Sequence, residues 1–159
     1  MGSRGSLPDA GKTALGLAVV RARESLREDR LFNDPYAQAF VDAAPGAFPG
    51  EPTSAGDLAA LGPLASLGAV FCFHAVLRTR FFDDYLRTAT VAGCRQVVLL
   101  AAGLDSRAFR LPWPDDVRVF ELDLPEVLAF KEAELAASYG RPVPGPSSGG
   151  FLTAVRAGR

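Results

Sequence analysis

The period of the hydrophobic pattern changes once along this chain, and that change limits the fold more than any other feature. Gln96 to Ala102 (QVVLLAA) is a nearly continuous apolar run, the pattern of a strand buried on both faces. Gly103-Leu104-Asp105-Ser106 follows as a turn, in which Asp105 or Ser106 can cap a helix. A short helical segment through Arg107, Phe109 and Arg110 stops before Pro112. Val117 to Leu122 (VRVFEL) is a second strand, and Pro125 to Ser138 a second helix with Val127, Leu128 and Leu135 on one side. Strand, turn, helix, strand, helix is the opening of a doubly wound α/β sheet.

The region before this unit reads as helical. Lys12 to about Glu28 suits an amphipathic helix, with Leu15, Leu17, Ala18, Val19 and Ala22 apolar and Arg21, Arg23, Glu24 and Arg27 nearby. Asn33-Asp34-Pro35 starts another, Asp34 capping and Pro35 in the first helical position, and it ends before Pro45-Gly46. Residues 45–56 form a Pro/Gly-rich loop. Helical pattern resumes near Asp57, breaks at Gly62-Pro63 and continues from Leu64 to Val91, ended by Ala92-Gly93. Within it Phe71, Val76 and Leu77 are expected inside.

Three segments follow from this reading. Residues 1–11 are polar, Gly/Ser-rich and expected to be disordered; 12–139 hold the packed part; 140–159 are a Pro/Gly/Ser-rich, linker-like tail. Two strands do not close an open α/β sheet, so further strands are expected to be missing.

Composition removes several function classes. The chain has 159 residues, suiting a single domain, and is 48% hydrophobic, enough for a core. Net charge is −1 and the arginines are scattered, which points away from nucleic acid and from an anionic membrane. The apolar run from Leu64 to Leu77 is too short to span a bilayer and is expected to be a buried helix of a soluble protein. Two cysteines without a CxxC motif, and His74 as the only histidine, argue against zinc and for two reduced thiols in a cytoplasmic protein. A lone histidine in an apolar run is expected to be a packed side chain, and Tyr85 and Trp113 core or loop anchors.

Three places carry chemistry. At Ala101-Ala102-Gly103-Leu104-Asp105 a small-residue turn lets a ligand approach the backbone and aims the first N–H groups of the next helix at it. Gly103 can take a positive φ there. Asp123, 20 residues after Gly103 and just past the second strand, stands where an acid accepts hydrogen bonds from ribose hydroxyls. Glu121, on the same sheet face by alternation, competes for that role, and capping of the Pro125 helix is the structural alternative for Asp123. Third, Arg78-Thr79-Arg80-Phe81-Phe82-Asp83-Asp84 offers an arginine able to clamp a carboxylate, or local Arg–Asp pairs on a solvated face.

The segments TALGLAVVRARESLREDRLFNDPYAQAF, RTRFFDDYL and RQVVLLAAGLDSRAFRLPWPDDVRVFELDLPEVLAFK resemble the leucine carboxyl methyltransferase-like family, in its bacterial branch of S-adenosylmethionine-dependent methyltransferases. The resemblance runs from about Lys12 to Glu134. It implies an incomplete Rossmann-like methyltransferase fold with a helical N-terminal region, and S-adenosyl-L-methionine as cofactor. By the same resemblance Asp123 matches the ribose acid and Gly103 with its neighbours the cofactor loop. Arg80, or the nearby Arg78, matches the arginine that holds the methionine carboxylate. Arg21, or Arg23, matches the N-terminal basic residue near the cofactor. Ala101 and Ala102 stand where a strict Gly-x-Gly loop has its first glycine. Family members are longer, and no equivalent of their later adenine-side acid is found.

The implied reaction is methyl transfer to a small-molecule or peptide acceptor through a carboxylate or a hydroxyl. It needs no metal and no triad, since the protein mainly positions the reactants. Two other readings stand beside it: a truncated remnant without catalysis, and an NAD-dependent oxidoreductase using the same glycine and acid. The absence of GxGxxG and the helical N-terminus weigh against the oxidoreductase.

Overall fold

In a computed structural model the chain is described over residues 11–45, 63–139 and 154–157. Expectations for residues 1–10, for the loop and helical pattern within 46–62, and for most of the 140–159 tail lie outside the described residues.

Helix α1 spans Lys12–Ser25, α2 Ala37–Ala43 and α3 Pro63–Val91. Strand β1 (Gln96–Leu100), the single-turn helix α4 (Arg107–Arg110), β2 (Arg118–Leu122) and α5 (Pro125–Tyr139) follow. β3 is Ala154–Ala157. The sheet order is β1-β2-β3. β1 and β2 run parallel, with Val97 opposite Val119 and Leu99 opposite Glu121, as the strand–helix–strand reading requires. β3 pairs antiparallel along the other edge of β2, within a segment expected to be tail. The result is a mixed α/β arrangement around a small sheet.

Helix ends follow local chemistry. Gly93, at φ 105°, closes α3: Cys94 N–H reaches Ala89 O at 2.9 Å and Gly93 N–H reaches Thr90 O at 3.1 Å, a Schellman pair. Pro125 opens α5 at the position where its missing N–H is harmless. Asp34 does not cap α2 in the expected way. It turns the chain by accepting Tyr36 N–H at 3.1 Å, and the helix starts two residues after Pro35.

Two apolar clusters hold these elements. Leu15 and Ala18 of α1 meet Phe40 of α2, Leu104 and the α5 residues Phe130 and Leu135. Val97 and Val119 pack with Ala108 and Val117, with Trp113 partly buried beside them. Trp113 is anchored as expected, its indole N–H donating to Arg107 O at 3.0 Å.

Three expectations are corrected. β1 is buried on one face only: Val97 is enclosed, while Val98 and Leu100 are exposed, Leu100 by 77%. The apolar stretch of α3 is not a buried helix, since Leu67, Val70, Phe71, Phe73 and Leu77 are exposed and Val76 is only half-buried. His74 and Tyr85 are exposed rather than packed. Val98 and Leu100 of β1 line a cavity that no further element fills among the described residues, while for α3, His74 and Tyr85 included, one reason serves. α3 turns its Ala75-Thr79-Asp83 side inward, where arginines from α4 meet it, and its large apolar side chains are left outside.

Candidate functional site

The turn after β1 is built by two left-handed residues. Ala101 and Gly103 both have φ 49°. Ala101 thus holds the conformation of the absent first glycine, at the strain a Cβ brings there. At Gly103 a Cβ would lie 2.9 Å from the Ala14 Cβ of α1, so the turn is pressed against the first helix and only glycine fits. Gly103 N–H donates to Asp123 Oδ2 at 2.6 Å, and Leu124 N–H to Asp123 Oδ1 at 2.7 Å. The acid after β2 is therefore joined directly to the glycine after β1.

Around the turn lies a cavity of about 350 Å³. Its walls are residues 98–105, Ala14, Leu17 and Arg21 from α1, Ala75, Arg78, Thr79, Phe82, Tyr85 and Leu86 from α3, and Arg107. Asp123 stands behind Gly103, half-buried, and is not part of the wall.

Charge in this wall is mostly paired. Arg21 is buried; its Nε donates to Asp34 Oδ2 at 2.7 Å and its Nη2 to Leu104 O at 2.7 Å. Asp34 also accepts Ser106 Oγ at 2.6 Å, so the first helix, the Asn33-Asp34-Pro35 segment and the turn form one network. Ser106 is thereby spent and makes no side-chain cap on α4. Asp105 Oδ1 takes the Arg107 N–H at 2.8 Å, so that helix amide does not point at a ligand. Arg107 is a strut: its guanidinium bonds Asp105, Asp83 Oδ1 at 2.8 Å and Thr79 O at 3.1 Å. Burial would push the Asp105 carboxyl up, but the Arg107 guanidinium, the charges of Arg21 and Lys131 and the Arg107 N–H outweigh it. They hold the group below the ordinary aspartate range.

One cation in the wall is different. Among the described residues Arg78 makes no ion pair; its guanidinium lies over the Phe82 ring at 5.5 Å, and Arg107 is 5.9 Å from the same ring.

The sequence-derived residues therefore divide. Arg21, Ala101, Ala102, Gly103 and Asp105 share the cavity wall, and Asp123 touches it through Gly103. Glu121 is buried and bonded to Lys131 Nζ at 2.6 Å, inside the protein rather than at the turn. Arg80 is placed elsewhere, with Nε on Asp84 at 2.7 Å and Nη1 on Leu31 O at 2.8 Å, lining a second cavity. Arg23 is exposed. Sequence reasoning missed Arg107, Phe82 and Tyr85 as wall residues. The i, i+4, i+7 spacing of Arg78, Phe82 and Tyr85 was the available signal.

A parallel strand pair joined through a short helix, with a left-handed turn after the first strand and an acid after the second, defines a mixed α/β protein whose cavity opens at the carboxyl end of its first strand. Residues 14–149 match the leucine carboxyl methyltransferase family, and the chain belongs to that family. A relative in Frankia alni is 59% identical over 125 residues, 79% of this chain and 42% of that protein. One in Parafrankia is 56% identical over 132 residues, 83% of this chain and 41% of the relative. One in Mycobacterium tuberculosis is 45% identical over 140 residues, 83% of this chain and 43% of the relative. All three are named "Putative S-adenosyl-L-methionine-dependent methyltransferase". The chain thus spans about two fifths of the length of the curated relatives it matches. Nothing in these matches supports the oxidoreductase alternative. Among the described residues no helix is long and apolar enough to cross a membrane.

Proposed function

We propose that this chain is the cofactor-binding part of an S-adenosyl-L-methionine-dependent methyltransferase of Rossmann-like fold. The observation that carries the reading is the joined pair Gly103–Asp123. A carboxylate offers about four acceptor sites on its two oxygens. Two are used by Gly103 and Leu124 N–H groups, one on each oxygen, so each oxygen keeps capacity for one hydroxyl of a ribose diol. Asp123 is preferred to Glu121 because Glu121 is committed to Lys131 in the interior.

The donor set fits this cofactor. Arg78 is the cation available for its methionine carboxylate, since Arg21 and Arg107 in the same wall are paired with aspartates. The Arg78 guanidinium lies over the Phe82 ring, 5.5 Å from the ring centre. Ala101, Ala102 and Gly103 present backbone without bulk. When bound, the cofactor supplies an electrophilic methyl group on sulfur, and a carboxylate acceptor, ionised at neutral pH, needs no protein base. The chain's own contribution is to orient and to exclude water.

Titration calorimetry tests this. S-adenosylhomocysteine should bind and NAD should not. Asp123→Ala should weaken the homocysteine ligand by about 1–3 kcal/mol, the cost of unpairing its hydroxyls. Arg78→Gln should weaken it and Arg80→Gln should not. Preference for NAD, or unchanged affinity in Asp123→Ala, would overturn the reading. A second reading, a cofactor-binding remnant without turnover, draws on the exposed Val98 and Leu100 face of β1. Cofactor binding without methyl transfer to any carboxylate or hydroxyl acceptor tested would favour it.

A further inference from the structure

On the other side of Asp83 from Arg107 lies the second cavity, about 410 Å³, between residues 31–36, α3 and α4. The methyl-transfer reading makes no use of it. Phe32, Tyr36 and Phe109 supply flat apolar surface, and Arg80, Arg87 and Arg110 supply charge. The acids present are Asp83 and Asp84.

The charges do not cancel within the cavity. Asp84 is taken by Arg80. Asp83 is shared: Arg110 grips both its oxygens at 2.6 and 2.7 Å, while Arg107 reaches it from the first cavity at 2.8 Å. Among the described residues Arg87 has no ion pair and no hydrogen bond from its guanidinium. A second donor is also unspent. The Arg110 side chain is only 5% exposed, its guanidinium lies 5.6 Å from the centre of the Phe32 ring, and its Nε is buried with no hydrogen-bond partner. Buried donors are nearly always satisfied, and Arg110, a residue of this cavity's lining, carries one that is not.

We propose that this cavity binds a small planar organic anion, with a carboxylate or phosphate held by Arg87 and Arg110 and its flat body against Phe32, Tyr36 and Phe109. The geometry suits it: a guanidinium prefers a planar, charged acceptor, and the aromatic rings prefer a planar partner. Since Asp83 lines this cavity and also bonds Arg107, an occupant here touches the residue that braces Arg107.

Benzoate, phenyl phosphate and the neutral benzamide are the probes, titrated into the 159-residue chain with two-dimensional NMR as readout. Benzoate, phenyl phosphate or both should shift signals of Phe32, Tyr36 and Phe109, and benzamide should not. Arg87→Gln, an exposed substitution that leaves folding intact, should weaken the anion about tenfold or more. Benzamide binding as well as benzoate, shifts confined to the Gly103 cavity, or full affinity in Arg87→Gln would each overturn the proposal. Loss of S-adenosylhomocysteine binding would not bear on it, because the probes are read directly.

Discussion

Helix α3 turns Ala75, Thr79, Asp83 and Thr90 toward the protein, and Phe73, Leu77, Phe81 and Tyr85 toward solvent. Asp83 is 3% exposed and Phe73 66%. The inner face is polar yet satisfied: Asp83 receives three N–H bonds from two arginines, and the Thr79 hydroxyl donates to Ala75 O at 2.8 Å. The outer face is apolar, a stripe of side chains every fourth residue. A helix is oriented by where its polar groups find partners as much as by where its apolar groups find cover. Here the arginines of α4 decide it, and the strut they form is what steadies the Gly103 turn.

Breaking the inner face should cost most. Asp83→Ala leaves buried guanidinium charge uncompensated and should lower unfolding free energy by about 3–5 kcal/mol in urea denaturation. A change much below that would mean solvent already screens the network. Next comes the turn that the network holds. Gly103→Ala meets both a 2.9 Å contact and a positive φ, and should cost about 2–4 kcal/mol by thermal melting.

A smaller effect sits on the strut's other end and carries a pH signature. Asp105 has a depressed pKa when folded, so its contribution is full above the unfolded aspartate pKa, near pH 4, and is lost as pH falls through the lower folded value. Asp105→Asn should cost about 1–2 kcal/mol at neutral pH and converge with the parent as pH falls through that lowered value, in an acid titration by circular dichroism. Smallest of all, Phe81→Ser on the outer face should stay within about 0.5 kcal/mol of the parent. It should also reduce self-association in sedimentation velocity, since it removes exposed apolar surface.

The contrast also explains what the sequence could tell. Elements were legible where local rules act alone: β1 from its apolar run, the end of α3 from Gly93, the start of α5 from Pro125. The Gly103–Asp123 spacing was legible because it belongs to one strand–helix–strand unit. Long-range pairing was not. Asp34 looked like a helix cap, but its carboxylate meets Arg21 and Ser106, the latter 72 residues away. The choice between Arg78 and Arg80 depends on which side of α3 faces the turn, and hydrophobic periodicity misreports that side, because residues 105–110 set it. The antiparallel β3 had no pattern strong enough to announce it.

The 2.9 Å approach between position 103 and Ala14 couples two sites 89 residues apart in sequence. As long as the turn after β1 keeps its left-handed glycine, residue 14 has room for a methyl group and little more. Homologues should therefore vary these positions jointly, and an engineer who enlarges residue 14 of the amino-terminal helix will displace the turn after β1 as well.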